Sequence, residues 1–129
     1  MIQRFIELGE GYSDLYELLE LIRYQNDRIS SFLALNTLYK GKKVTSVGII
    51  MSPTDPGKFQ AIYFCREGIP DPAEKESGRY KLFLEAAEKS GKPLYQLEVK
   101  SSSAFHEPAL FYQYLTGILR LNHIIPPLN

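Results

Sequence analysis

Three residues are of types that chemistry could use together: Asp71, Glu98 and Lys100. Two carboxylates can share a Mg²⁺ ion, and a nearby lysine can help activate a water for phosphodiester hydrolysis. The bland alternative is a loop aspartate beside a solvated strand face, with no catalytic residues at all. A second stretch, Gly9-Glu10-Gly11-Tyr12-Ser13-Asp14, follows a strand pattern and opens a helix, as a dinucleotide-binding turn does. Asp14 stands where a third glycine is needed, and Glu10 would repel a pyrophosphate. A turn followed by a helix cap accounts for the stretch without a ligand. His106 and His123 are separated by a whole helix pattern and do not easily share a metal. Cys65 has no flanking histidine and reads as a small buried hydrophobe. Ser101-Ser102-Ser103 is a polar loop with no nucleophile elbow around it.

Composition narrows the partners. The chain has 129 residues, 15 Lys+Arg against 15 Asp+Glu, and a formal net charge of zero. That length suits a single α/β domain over residues 1–129. Without a basic excess there is no general electrostatic pull on phosphates, so nucleic acid is not an expected partner. A net charge of zero opposes self-association only weakly, which favours a homodimer. One cysteine excludes an internal disulfide and a cysteine-based zinc site, and suits a reducing compartment. Met1-Ile2-Gln3-Arg4-Phe5 is followed by Glu7 and Glu10, so no apolar signal core is expected, and no apolar run is long enough to span a bilayer. A cytoplasmic protein with no membrane partner, no resident metal and no cofactor is expected.

The elements that must position these groups centre on residues 29–66. Residues 29–37, 44–51 and 59–66 are rich in Val, Ile, Phe, Tyr and Thr, with turn chemistry between them, and read as three consecutive strands. Residues 1–8 read as an earlier strand. A helix from Ser13 or Asp14 to about Gln25 buries Leu15, Leu18, Leu19 and Ile22. Residues 67–77 read as a loop, because Pro70 and Pro72 cannot donate to a strand ladder. A helix over 79–90 places Tyr80, Phe83, Leu84 and Ala87 on one face and ends at Gly91. Residues 94–100 alternate as a strand. A last helix starts at Pro108 and runs to about Asn122, apolar over most of its circumference. It is expected either deep in the monomer or at a partner interface through Phe111, Tyr114, Leu115 and Ile118. The apolar tail after it must dock somewhere.

The order is β-α-β-β-β-α-β-α, a three-layer α/β/α sandwich with a mixed sheet. Crossovers make the first and second strands parallel, and hairpins reverse the third. The fourth and fifth then run with the first. Ligands of open α/β sheets sit outside the carboxyl ends of the parallel strands. That edge collects residues 9–13, 38–43, 67–77 and 101–106, bringing Glu10, Asp14, Lys40, Glu67, Asp71, Glu98, Lys100 and His106. A small-molecule pocket there would be lined by Tyr12, Tyr39 and His106.

Two resemblances bear on this reading. Pro70-Asp71 with Glu98-Val99-Lys100 resembles the PD-(D/E)xK nuclease signature, and the order of elements over residues 14–100 resembles that restriction-endonuclease-like core. In that family the acid and the E-x-K residues lie on adjacent meander strands, whereas here a helix separates them and the third meander strand carries Ala61, Tyr63 and Cys65. The opening MIQRFIELGEGYSDLYEL, the GIPDP loop, the LEVKSSS strand end and the closing GILRLNHIIPPL resemble a family of short uncharacterised proteins from Bacillus-type bacteria. The label methylthioribose kinase that some members bear implies a phosphate-cradling loop, a lysine paired with an acid, and metal-binding acids. The chain shows no such set. The reading that follows is a non-enzymatic binding or interaction domain, with a Mg²⁺-dependent phosphodiesterase using Asp71, Glu98 and Lys100 as the alternative.

Overall fold

The computed structural model describes residues 3–9, 12–39, 41–52, 59–70 and 78–125. Five strands and three helices follow in the expected order: β1 (Gln3–Gly9), α1 (Tyr12–Tyr24), β2 (Ile29–Tyr39), β3 (Lys42–Met51), β4 (Gln60–Pro70), α2 (Gly78–Ser90), β5 (Leu94–Glu98) and α3 (Pro108–Leu121). The strands form one sheet in the order β1-β4-β3-β2-β5. β3 runs antiparallel to both of its neighbours, while β1 pairs parallel with β4 and β5 parallel with β2. All strand directions are those deduced from the connections.

The centre of the sheet is buried on both faces, so its strands read as nearly continuous apolar runs rather than alternating ones. From β2, Phe32 and Ala34 face one side and meet Val47, Ile49 and Met51 of β3, Leu15, Leu18 and Ile22 of α1, and Phe83 and Ala87 of α2. Leu33 and Leu35 face the other side, where Ile50, Ile62 and Phe64 meet Phe111, Leu115 and Leu119 of α3. Cys65 is buried in the first of these clusters. Gly48 has no room for a side chain against β4. A Cβ placed there would lie 2.7 Å from the Tyr63 carbonyl oxygen and 3.1 Å from Cδ2 of Phe64.

Several boundaries differ from those the sequence suggested. β4 continues through Pro70, where a loop was expected from residue 67. Val44 of β3 pairs with Pro70, and a proline is tolerated there because it ends the strand. The β2–β3 hairpin is also longer: Tyr39 pairs with Lys42, and Gly41 takes φ 78° in the turn. Gly91, with φ 74°, ends α2 as expected. β5 stops at Glu98 rather than Lys100.

α3 is not buried all round. Its inner stripe is Phe111, Leu115 and Leu119. Leu110 and Leu121 stay exposed, at 42% and 81%. The helix ends in a Schellman arrangement, in which the Ile124 amide donates to the Leu119 carbonyl at 2.9 Å and the His123 amide to the Arg120 carbonyl at 3.0 Å. His123 supplies the left-handed residue, with φ 58°. That reversal turns the apolar tail back onto the sheet, where Ile124 and Ile125 pack with Leu33, Ile50 and Ile62.

Gly48→Ala is expected to cost about 1–3 kcal/mol, because the neighbour of the new methyl is backbone and cannot swing away. Urea unfolding should show a lower midpoint with an unchanged slope.

Candidate functional site

A difference in strand length makes the site. β5 ends at Glu98, opposite Asn36, while β2 runs on through Thr37, Leu38 and Tyr39. The Val99 amide donates to the Asn36 carbonyl at 2.9 Å, so the backbone groups of Asn36 face β5. Backbone groups alternate along a strand. Thr37 is therefore turned to Val44 on β3, and the N–H and C=O of Leu38 point past the end of β5. No strand lies opposite them among the described residues.

The chain after β5 leaves the sheet and closes the far side. The Lys100 amide donates to the Tyr114 hydroxyl oxygen at 2.9 Å, which pins the departure to α3. Residues Ser102–Ala104 form a single 3-10 turn, with the Ser103 amide donating to Ser101 Oγ at 3.1 Å. Between this turn and the end of β2 is a cleft of about 740 Å³. Leu38, Val44 and Val99 give it apolar wall, and Lys43, Lys100, Glu98 and the serines give it polar groups. Leu38 is 63% exposed there. Thr45 Oγ1 donates to Asn36 Oδ1 at 2.8 Å and steadies that side chain at the border of the cleft.

Thr37, which also lines the cleft, is 8% exposed, and its Oγ1 has no hydrogen-bond partner among the described residues. A buried hydroxyl without a partner is costly, and native proteins seldom keep one. With two lysines and one carboxylate, the cleft carries a small positive excess. It can offer N–H donors, ammonium groups and hydroxyls to a ligand with acceptor atoms.

The residues singled out from sequence distribute unevenly. Glu98 and Lys100 both line the cleft. Asp71, Glu10 and Lys40 lie outside the described residues. Pro70, just before Asp71, is far from Glu98, because the strands that end there are not neighbours. Pro70 pairs with Val44, Val44 with Thr37, and Glu98 with Asn36 beside Thr37. Three strand spacings separate the two ends, roughly 14 Å. Tyr12 begins α1 after β1, on the far edge of the sheet from β5, whereas Tyr39 ends β2 next to the cleft; neither side chain is among those described, nor are those of Asp14 and Glu67. His106 is exposed, just before α3. Among the described residues no group of three or more His, Cys, Asp or Glu side chains gathers as a metal site would.

The four residues expected at a partner surface also separate. Phe111 and Leu115 are consumed by the monomer's own core, and Tyr114 and Ile118 are half-buried beside them. Sequence reasoning assigned residues 38–43 and 101–106 to this edge but did not single out Asn36 or Thr37. Their signal was present: an Asn-Thr pair breaking the apolar run Phe32-Leu33-Ala34-Leu35 before Leu38.

Thr37→Val is expected to leave stability unchanged or raise it by about 1 kcal/mol, since the hydroxyl it removes has no partner to lose. Urea unfolding of the two proteins measures this. A clear loss of stability would mean that the hydroxyl is satisfied.

A family model described as "Domain of unknown function (DUF7147)" matches residues 1–125. Neither the curated proteins nor the solved structures compared with the chain give a match.

Proposed function

The chain belongs to the DUF7147 family, and we propose that it is a non-enzymatic binding domain whose ligand sits in the cleft at the ends of β2 and β5. The observation that carries this is the unused binding capacity concentrated there: the Thr37 hydroxyl, and the Leu38 backbone beyond the end of β5. The cleft volume of about 740 Å³ lies within the usual range of small-ligand sites. Apolar wall with a few convergent polar groups is also the usual composition of such sites. We place the protein in the cytoplasm of a Bacillus-type bacterium, on the strength of the resemblance of its termini and its single cysteine. No helix among the described residues is long and apolar enough to cross a membrane.

The domain acts as a homodimer through the outer face of α3. Leu110, Tyr114, Ile118 and Leu121 follow helical spacing along one side, next to the inner stripe. Sedimentation velocity is expected to show a dimer, and Leu110→Asp with Leu121→Asp to give a monomer of unchanged circular dichroism. A wild-type monomer at high concentration would end this part of the proposal.

A second reading is favoured only by Glu98 and Lys100 lining one cleft. It is a Mg²⁺-dependent phosphodiesterase using Asp71, Glu98 and Lys100, and the roughly 14 Å between the ends of β4 and β5 counts against one ion shared by the two acids. One titration tests both readings. A library of small acceptor-rich fragments, followed by amide NMR, is expected to move Leu38, Lys100 and Ser101 together, and Lys100→Glu to weaken the anionic hits. Shifts mapping elsewhere would overturn the cleft as the site. A saturable response to MgCl₂ at Glu98 would favour the enzyme instead.

A further inference from the structure

A second hollow, of about 500 Å³, lies between β1 and α3. It is at the β1 edge of the sheet, away from the strand-end cleft beside β5. Its polar groups come from Gln3, Gln113, Thr116 and Arg120, and its apolar wall from Phe5 and Tyr112. The Phe5 and Tyr112 rings are stacked, with centroids 4.7 Å apart. No acidic side chain among the described residues lines it.

Arg120 is half-buried there and is held by a relay of amides. Its Nη2 donates to Gln3 Oε1 at 2.6 Å. Gln3 Nε2 donates to Gln60 Oε1 at 3.2 Å, and Gln60 Nε2 to the Met51 carbonyl at 3.1 Å. The guanidinium is thereby fixed to the sheet through neutral groups, and no carboxylate among the described residues cancels its charge. Its Nε is buried and has no hydrogen-bond partner among the described residues. A partly buried charge with an unused N–H is expensive unless a counter-charge reaches it. Arg4 borders the same hollow, but its guanidinium lies over the Phe59 ring, 5.0 Å from the centroid.

We propose that this hollow binds a small oxyanion, a carboxylate or phosphate group, on Arg120. A guanidinium presents N–H groups in a planar fork that matches both groups, and one held in advance loses little freedom on binding. The stacked rings give an apolar body somewhere to rest. The site is separate from the strand-end cleft and does not depend on it.

The test is side-chain NMR of the Arg120 Nε–H, titrated with sodium benzoate and with inorganic phosphate against sodium chloride at matched ionic strength. Saturable shifts with benzoate, phosphate or both are expected, and the one that saturates identifies the group. Chloride should leave the signal in place. Arg120→Lys should weaken binding about tenfold or more, and Lys89→Gln, on α2 across the sheet, should not change it. Should Arg120→Lys fail to fold, Gln113→Glu puts a carboxylate into the hollow from an exposed position and is expected to abolish binding. Shifts that do not saturate, an equal response to chloride, or binding that survives Gln113→Glu would each overturn the proposal.

Discussion

The pairing of β2 with β3 carries the molecule, because both strands must be covered on two faces at once. Phe32, Ala34, Val47 and Ile49 need one apolar layer, and Leu33, Leu35 and Ile50 need another. A sheet buried on both sides forces helices onto both sides. α1 and α2 supply the first layer, and α3 with the reversed tail supplies the second. The absence of a side chain at Gly48 belongs to the same constraint. The Tyr63 carbonyl oxygen on β4, with the Phe64 ring behind it, takes the space that a side chain at position 48 would need.

With the centre saturated, unused binding capacity is left to the edges. At one end of the sheet β5 is shorter than β2, so on its outer side Leu38 has no partner strand among the described residues, and a cleft opens beside it. At the other end the Gln3 amide on β1 ties the edge to the Arg120 guanidinium of α3. Each leaves a buried polar group without a partner among the described residues, the Thr37 hydroxyl at one end and the Arg120 Nε at the other.

The over-apolar α3 illustrates how a sequence pattern divides in three dimensions. Its inner stripe is spent on the sheet, and what remains outside is a narrower strip from Leu110 to Leu121. Helical spacing identified the apolar residues but could not say how wide a face the sheet would cover. The tail resolved differently. Its isoleucines dock within the chain because the left-handed His123 reverses the backbone toward Leu33 and Ile62.

The sequence by itself determined the elements, their order, the strand directions and the two-sided burial. These are encoded by near neighbours: the Leu15, Leu18 and Ile22 spacing, the Gly91 stop, the Pro108 start, and the apolar runs of the meander. It also placed Glu98 and Lys100 at the edge where the cleft beside β5 lies. Only the tertiary structure decided that β1 lies beside β4 and β5 beside β2. That choice rests on surfaces far apart in the chain fitting together, and no local period records it. It separates the end of β4 from Glu98 and sets Thr37 and Leu38 beside the chain that leaves β5. It also joins Gln3 to Arg120, 117 residues away.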